Sequence, residues 1–145
     1  MADQTESSIT IAAPIATIMQ VIADLEDYPE WSDGITKVTV LTEDGGRPRT
    51  ARFDLSSGPI KDTYELEYDW SGDTDVSWHL VRGDMLRAMD GSYALSASGP
   101  DETLVRYRLV VDVKVPMIGM IKRKAEKVIV DTALRGLKNR VESMH

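Results

Sequence analysis

Apolar and polar residues alternate along this chain with two different periods, and the periods divide it into three parts. Ser7-Ser8-Ile9-Thr10-Ile11-Ala12 alternates as a half-buried strand does. Pro14 follows, at a position where the first residue of a helix tolerates proline. Ile15, Ile18, Met19 and Ile22 then recur at helical spacing and predict a short amphipathic helix. Residues 24–31 are too short and too interrupted to continue it, so a helical turn is expected there, with Pro29 breaking the chain direction. From residue 35 to residue 115 the period is two. Candidate strands are 35–41, 50–56, 60–70, 76–81, 85–97 and 103–115, joined by short glycine-bearing connections such as Asp44-Gly45-Gly46 and Ser71-Gly72-Asp73. Six consecutive strands with turns this short predict an antiparallel meander.

Beyond Pro116 the period lengthens. Ile118, Ile121, Ala125, Val128, Ile129, Thr132, Ala133, Leu137 and Val141 mark one face of a helix of about 25 residues, roughly 37 Å long at about 1.5 Å per residue. The predicted order is strand, two short helices, meander and long C-terminal helix, an α+β arrangement. One domain over residues 1–145 is expected, with residues 1–6 as a mobile tail. A curved antiparallel sheet of about seven strands wrapped around one helix leaves a space between them, and that space is the default ligand site.

Composition narrows the chemistry. The chain has 145 residues, 42% hydrophobic and 28% charged, which suits one globular domain with its own core. It has no cysteine, so disulfide frameworks, zinc–thiolate sites and thiol catalysis are excluded. No apolar run approaches the roughly 20 residues of a membrane-spanning helix, and the polar start Met1-Ala2-Asp3-Gln4-Thr5-Glu6 does not read as a signal peptide, so a cytoplasmic location is expected. The net charge of −7 argues against nucleic acid as a partner. That charge is uneven: residues 1–116 carry 10 Lys/Arg and 21 Asp/Glu, whereas residues 117–145 carry 7 and 3. Lys122, Arg123, Lys124 and Lys127 therefore either solvate the outer side of the helix or touch an acidic partner or membrane surface.

The segment Val21-Ile22-Ala23-Asp24-Leu25-Glu26-Asp27-Tyr28-Pro29-Glu30-Trp31 resembles the corresponding word of the START-like, or helix-grip, superfamily, in its polyketide cyclase/dehydrase and coenzyme-Q-binding branch. Asp90-Gly91-Ser92-Tyr93-Ala94-Leu95 and the stretch from Val115 through Pro116 and Met117 to Glu126 are similar to small actinobacterial members. The resemblance covers essentially the whole chain. It implies a hydrophobic cavity between sheet and helix that holds lipids, quinones, polyketides or similar molecules, without cofactor. It does not imply one reaction, because this scaffold serves carriers, cyclases and interaction proteins alike.

Few residues suggest catalysis. His145 is terminal, and His79 alternates out of phase with Trp78 and Leu80, which points it to solvent. No metal triad and no phosphate-cradling loop is readable. Asp62 shares a strand face with Ile60, Tyr64, Leu66, Tyr68 and Trp70, so it lies either inside with a partner or at the rim in water. Arg87 shares a face with Met85, Met89, Gly91, Tyr93 and Leu95. It either enters the cavity, to meet a ligand oxygen or Asp62, or is solvated, and a bulge would reverse the answer. Asp62, Arg87 and Tyr93 are the catalytic candidates.

For ligand contact the candidates are Phe53, Tyr64, Leu66, Tyr68 and Trp78, then Arg87, Met89 and Tyr93, then Met117, Ile121, Ala125 and Val128 on or before the helix. Phe53, Trp78, Leu80, Tyr107, Leu109 and Val111 read more readily as packing residues, although core and cavity lining look the same in sequence, so Phe53 and Trp78 stand in both sets. The leading expectation is binding of a hydrophobic small molecule as carrier, sensor or chaperone. The alternatives are a cyclase/dehydrase-type enzyme and a module that docks through the basic helix.

Overall fold

The computed structural model describes residues 5–32, 34–57, 60–113 and 119–144, with the backbone alone at 57, 60, 119–123 and 125. Strand β1 (Thr5–Ile11) leads into helix α1 (Ile15–Ala23) and a 3-10 helix (Leu25–Glu30). Six strands follow: β2 (Ile35–Asp44), β3 (Arg47–Ser57), β4 (Ile60–Ser71), β5 (Asp75–Gly83), β6 (Leu86–Gly99) and β7 (Glu102–Val113). Helix α2 (Gly119–Glu142) closes the chain. The sheet has seven strands in the order β1-β7-β6-β5-β4-β3-β2, all pairs antiparallel. The meander is as expected, and β1 returns to pair with the last strand.

Three details differ from the sequence reading. The first strand already pairs at Thr5, opposite Leu109, so Thr5 and Glu6 belong to the sheet and not to a tail. The helical turn is there as a 3-10 helix, and Pro29 sits inside it where a break in chain direction is expected. The buried stripe of α2 is Glu126, Val130, Leu134, Leu137 and Val141, while Val128 and Ile129 face outward at 58% and 41% exposure. Glu126 explains the rotation. Its carboxylate accepts the Val111 backbone N–H at 2.7 Å and the Thr5 hydroxyl at 2.8 Å. Val111 lies past Thr5↔Leu109, the last described β1–β7 pair, and the Glu126 side chain gives its N–H a buried acceptor.

The core runs where α1 and α2 cover the β1–β7 side of the sheet. Ile11, Ile18, Met19, Ile22 and Leu25 meet Val105 and Leu109 from β7, and Val130, Leu134 and Leu137 from α2. The C-terminal turns of α2 are fastened to the end of β1. Lys138 donates to the Thr10 carbonyl at 2.9 Å, and Glu142 accepts the Ala12 N–H at 3.0 Å. At Gly136 the helix passes so close to the Trp31 carbonyl that a Cβ would stand 2.5 Å from it. These ties fix the helix against one side of the sheet. The inner face of β3 to β6 is left to its own side chains.

Candidate functional site

Those side chains are aromatic. On β4 the alternate residues Tyr64, Leu66 and Tyr68 are buried and Trp70 half-buried, and pairing carries the row sideways. Phe53 of β3 lies opposite Tyr64, Trp78 of β5 opposite Tyr68, Val76 opposite Tyr93 of β6, and Tyr93 opposite Tyr107 of β7. Phe53 stacks on Tyr64 with ring centroids 5.3 Å apart, and Tyr68 packs on Trp70 at 5.6 Å and Trp78 at 5.7 Å. Trp78 meets Tyr93 at 5.4 Å and Tyr107 at 5.7 Å, and those two tyrosines approach to 4.6 Å. Tyr28 of the 3-10 helix joins through Phe53 at 6.3 Å and brings Trp31 at 4.8 Å. The chain has three Trp, five Tyr and one Phe, and every one belongs to this network.

Five tyrosines is a polar choice for such a surface. Tyr28 spends its hydroxyl on the Ile22 carbonyl at 2.5 Å. The hydroxyls of Tyr64, Tyr68, Tyr93 and Tyr107 have no hydrogen-bond partner among the described residues. Burial pushes all five phenol pKa values well up, and mutual repulsion of the phenolates, with Tyr107 prominent, adds to the rise for Tyr28, Tyr64, Tyr68 and Tyr93. They are therefore neutral at physiological pH and able both to donate and to accept. The Trp31 indole N–H, on the same network, is buried without a partner among the described residues.

Other buried polar side chains are already engaged. Asp62 is 6% exposed, and the backbone N–H groups of Asp84, Met85 and Leu86 donate to its carboxylate at 3.0, 3.2 and 3.1 Å. Thr103 donates to the Ala13 carbonyl at 2.7 Å, and Glu126 is held as described above. Asp62 is thus neither at the rim in water nor paired with Arg87: it caps the β5–β6 turn. Arg87 is exposed, which removes it from both the catalytic and the ligand-binding candidates. The cause is a register shift between Leu86 and Ala88, which turns Leu86 inward and leaves Met85 and Arg87 outward. Downstream of the shift, Met89, Gly91, Tyr93 and Leu95 keep the expected inward phase.

Phe53, Tyr64, Leu66, Tyr68, Trp78, Met89 and Tyr93 therefore share the inner face, with Met89 only partly buried. Val128 does not, since it faces outward on α2. Met117 and the side chains of Ile121 and Ala125 lie outside the described residues. His79 faces outward as expected and lies 3.0 Å from Glu67. Tyr107, read in sequence as a packing residue, is a full member of the aromatic face. Tyr28, Trp31 and Trp70 are members that the sequence reading does not single out. The alternation of Val105, Tyr107, Leu109 and Val111 carries the signal for Tyr107, but only register shows that it meets Tyr93. No group of three carboxylate or imidazole side chains suited to a metal occurs among the described residues, and no described helix is long and apolar enough to cross a membrane.

Two open, polar clefts flank the aromatic face. One, of about 470 Å³, lies at the tips of the β2–β3 and β4–β5 hairpins and reaches Tyr68 and Trp70. There the Arg47 guanidinium sits 5.2 Å from the centre of the Trp70 ring and donates to the Gly72 carbonyl and the Asp73 carboxylate, both at 2.5 Å. The other, of about 420 Å³, separates the 3-10 helix from α2 around Trp31, Gly136 and Asn139.

An aromatic sheet facing one long helix has relatives. Residues 11–138 match the family described as polyketide cyclase / dehydrase and lipid transport. The chain belongs to that family. As a member of it, the protein has the START-like, helix-grip fold. Among solved structures, a START superfamily protein from Mycobacterium smegmatis is 24% identical, with 99% of this chain and 100% of that one covered and a TM-score of 0.93. A protein from Thermus thermophilus is 20% identical, with 98% and 99% covered and a TM-score of 0.83. The Zhui aromatase/cyclase from Streptomyces sp. R1128 is 16% identical, with 97% and 93% covered and a TM-score of 0.77. At these identities the likeness concerns the fold. No curated protein matches the chain in sequence.

Proposed function

We propose that this family member holds a single hydrophobic, oxygen-bearing small molecule between the aromatic face of the sheet and α2, as a carrier, sensor or chaperone. The observation that carries this reading is the set of unpartnered hydroxyls on Tyr64, Tyr68, Tyr93 and Tyr107 among the described residues. Phenylalanine would supply the same ring area; what the four tyrosines add is a hydroxyl each on an otherwise apolar face. A core shaped for stability alone has no use for four such groups. A quinone, a polyketide-like phenol or a lipid with carbonyl and hydroxyl oxygens would satisfy them while its carbon skeleton lies on the rings.

A cyclase or dehydrase needs a group to move protons, and two of the three candidates are not available. Both carboxylate oxygens of Asp62 accept backbone N–H groups, and Arg87 points to solvent. Tyr93 remains on the aromatic face, where its raised pKa suits hydrogen bonding rather than proton abstraction near neutrality. The site as described favours holding over turnover. Native mass spectrometry of the purified protein, followed by organic extraction, tests the reading. The expected result is a mass excess of one apolar, oxygenated molecule per chain. A molecule released in chemically altered form would argue for turnover instead.

A further inference from the structure

Helix α2 runs against a rule of helix electrostatics at its start. Aligned peptide dipoles leave the N-terminal end of a helix partly positive, so acidic residues are favoured there and cations disfavoured. The first turn of α2 holds no acidic residue. Lys122, Arg123, Lys124 and Lys127 then precede Asp131, and the one acid among them, Glu126, is buried and spent on Val111 and Thr5. Asp131 is matched by Lys127 at 2.8 Å, which holds its carboxyl below the usual carboxylate range. Lys124 is exposed and forms no ion pair among the described residues. Beside Lys124 and Lys127 stand Val128 and Ile129, the apolar pair that α2 turns outward. Val128 lies one helical turn from Lys124 and next to Lys127, so cations and apolar groups share one surface.

Lys127 is matched within the fold, but Lys124 and the outward pair Val128 and Ile129 are not matched among the described residues. A negative partner would offset the cations, and an apolar phase would take up Val128 and Ile129. We infer that the outward face of the N-terminal half of α2 docks on an anionic lipid surface, with the cations over the headgroups and Val128 and Ile129 in the interface. An interfacial helix combines these two elements, whereas an acidic polypeptide needs only the first. The rest of the molecule fixes the orientation. Residues 1–116 carry 10 Lys/Arg against 21 Asp/Glu, so an anionic surface repels the body of the molecule as a whole and favours approach by α2. The inference concerns the outside of the helix and is independent of what the aromatic face binds.

Co-sedimentation of the full chain with vesicles tests it, using phosphatidylcholine alone and phosphatidylcholine mixed with phosphatidylserine in equal parts. The protein is expected to bind the mixed vesicles and to be released by salt. Lys124→Gln should weaken partitioning about fivefold, the contribution of one cation near an anionic surface. Val128→Ser with Ile129→Ser should weaken it further, with far-UV circular dichroism and the unfolding temperature unchanged because both side chains are exposed. If the Ser pair perturbs folding, Lys124→Gln alone decides. Equal binding to both vesicle types would overturn the inference, as would mixed-vesicle binding that ignores Lys124→Gln. Equally tight binding to soluble polyglutamate, unaffected by the Ser pair, would assign the face to an acidic polypeptide and also overturn it.

Discussion

Gly91 shows how much a single residue can set on this sheet. It lies opposite Trp78, and a Cβ built on it would stand 2.4 Å from two atoms of the indole ring. The indole therefore lies where the Gly91 side chain would be, and Tyr68, Tyr93 and Tyr107 hem it in on its other sides. Gly91→Ala should cost about 1–3 kcal/mol, the range for overpacking a filled core, and push Trp78 toward the helix. A lowered unfolding midpoint in urea with a blue- or red-shifted tryptophan emission would report both effects; an unchanged midpoint would mean that the ring moves freely. Nothing in Asp90-Gly91-Ser92 announces this contact. The alternation places Gly91 on the inner face, but its partner depends on the pairing of β5 with β6, and pairing register is invisible in a single strand. The same gap hides the meeting of Tyr93 with Tyr107.

Elements are legible where one period runs unbroken and misleading where a polar residue interrupts it for a structural reason. The meander and the long helix follow from periods of two and 3.6, and the structure has both. Arg87 has two readings in sequence because the strand holding it begins with a bulge, which moves its first residues by one place and exchanges their faces. Val128 falls on the inner side of α2 in a sequence reading because Glu126 reads as a surface residue. In the structure that glutamate completes the β7 ladder, and the buried stripe turns to follow it. Asp62 is the matching case on β4, where one carboxylate takes three N–H groups of the β5–β6 turn. Asp62→Ala should cost about 2–4 kcal/mol, since hydrogen bonds to a charged group contribute about 1.5–3 kcal/mol and three buried donors lose their acceptor. Asp62→Asn keeps one acceptor oxygen and should cost less. Amide hydrogen exchange at Asp84, Met85 and Leu86 checks the assignment: selective loss of protection there supports the cap, and unchanged protection contradicts it.

At the scale of the molecule, the aromatic face couples stability to pH in a direction that can be worked out. Each buried tyrosine keeps its proton to a higher pH than the value of 10.0 expected of an unfolded one. Above that value the folded state binds more protons than the unfolded state, so stability is whole below about pH 10 and falls as pH rises beyond it. The loss is about 1.4 kcal/mol per tyrosine for each pH unit, or about 7 kcal/mol for five, comparable to the whole stability of a small domain. An alkaline titration followed by tyrosinate absorbance should stay silent to about pH 10 and then show all five phenolates in one step with unfolding. Gradual ionisation of a folded protein near pH 10 would mean that the hydroxyls meet bulk water.

Ligand binding by these hydroxyls is read out by the unfolding temperature of the wild type and of the Tyr93→Phe, Tyr107→Phe double variant, each with and without the extracted ligand. Without ligand, the variant should be about as stable as the wild type, because neither hydroxyl has a partner among the described residues. With ligand near 100 times its dissociation constant, the wild type should gain about 2.7 kcal/mol and the variant clearly less. A variant that is less stable when empty, and that gains as much from the ligand as the wild type, would contradict the account: the hydroxyls would then serve the fold and not the ligand.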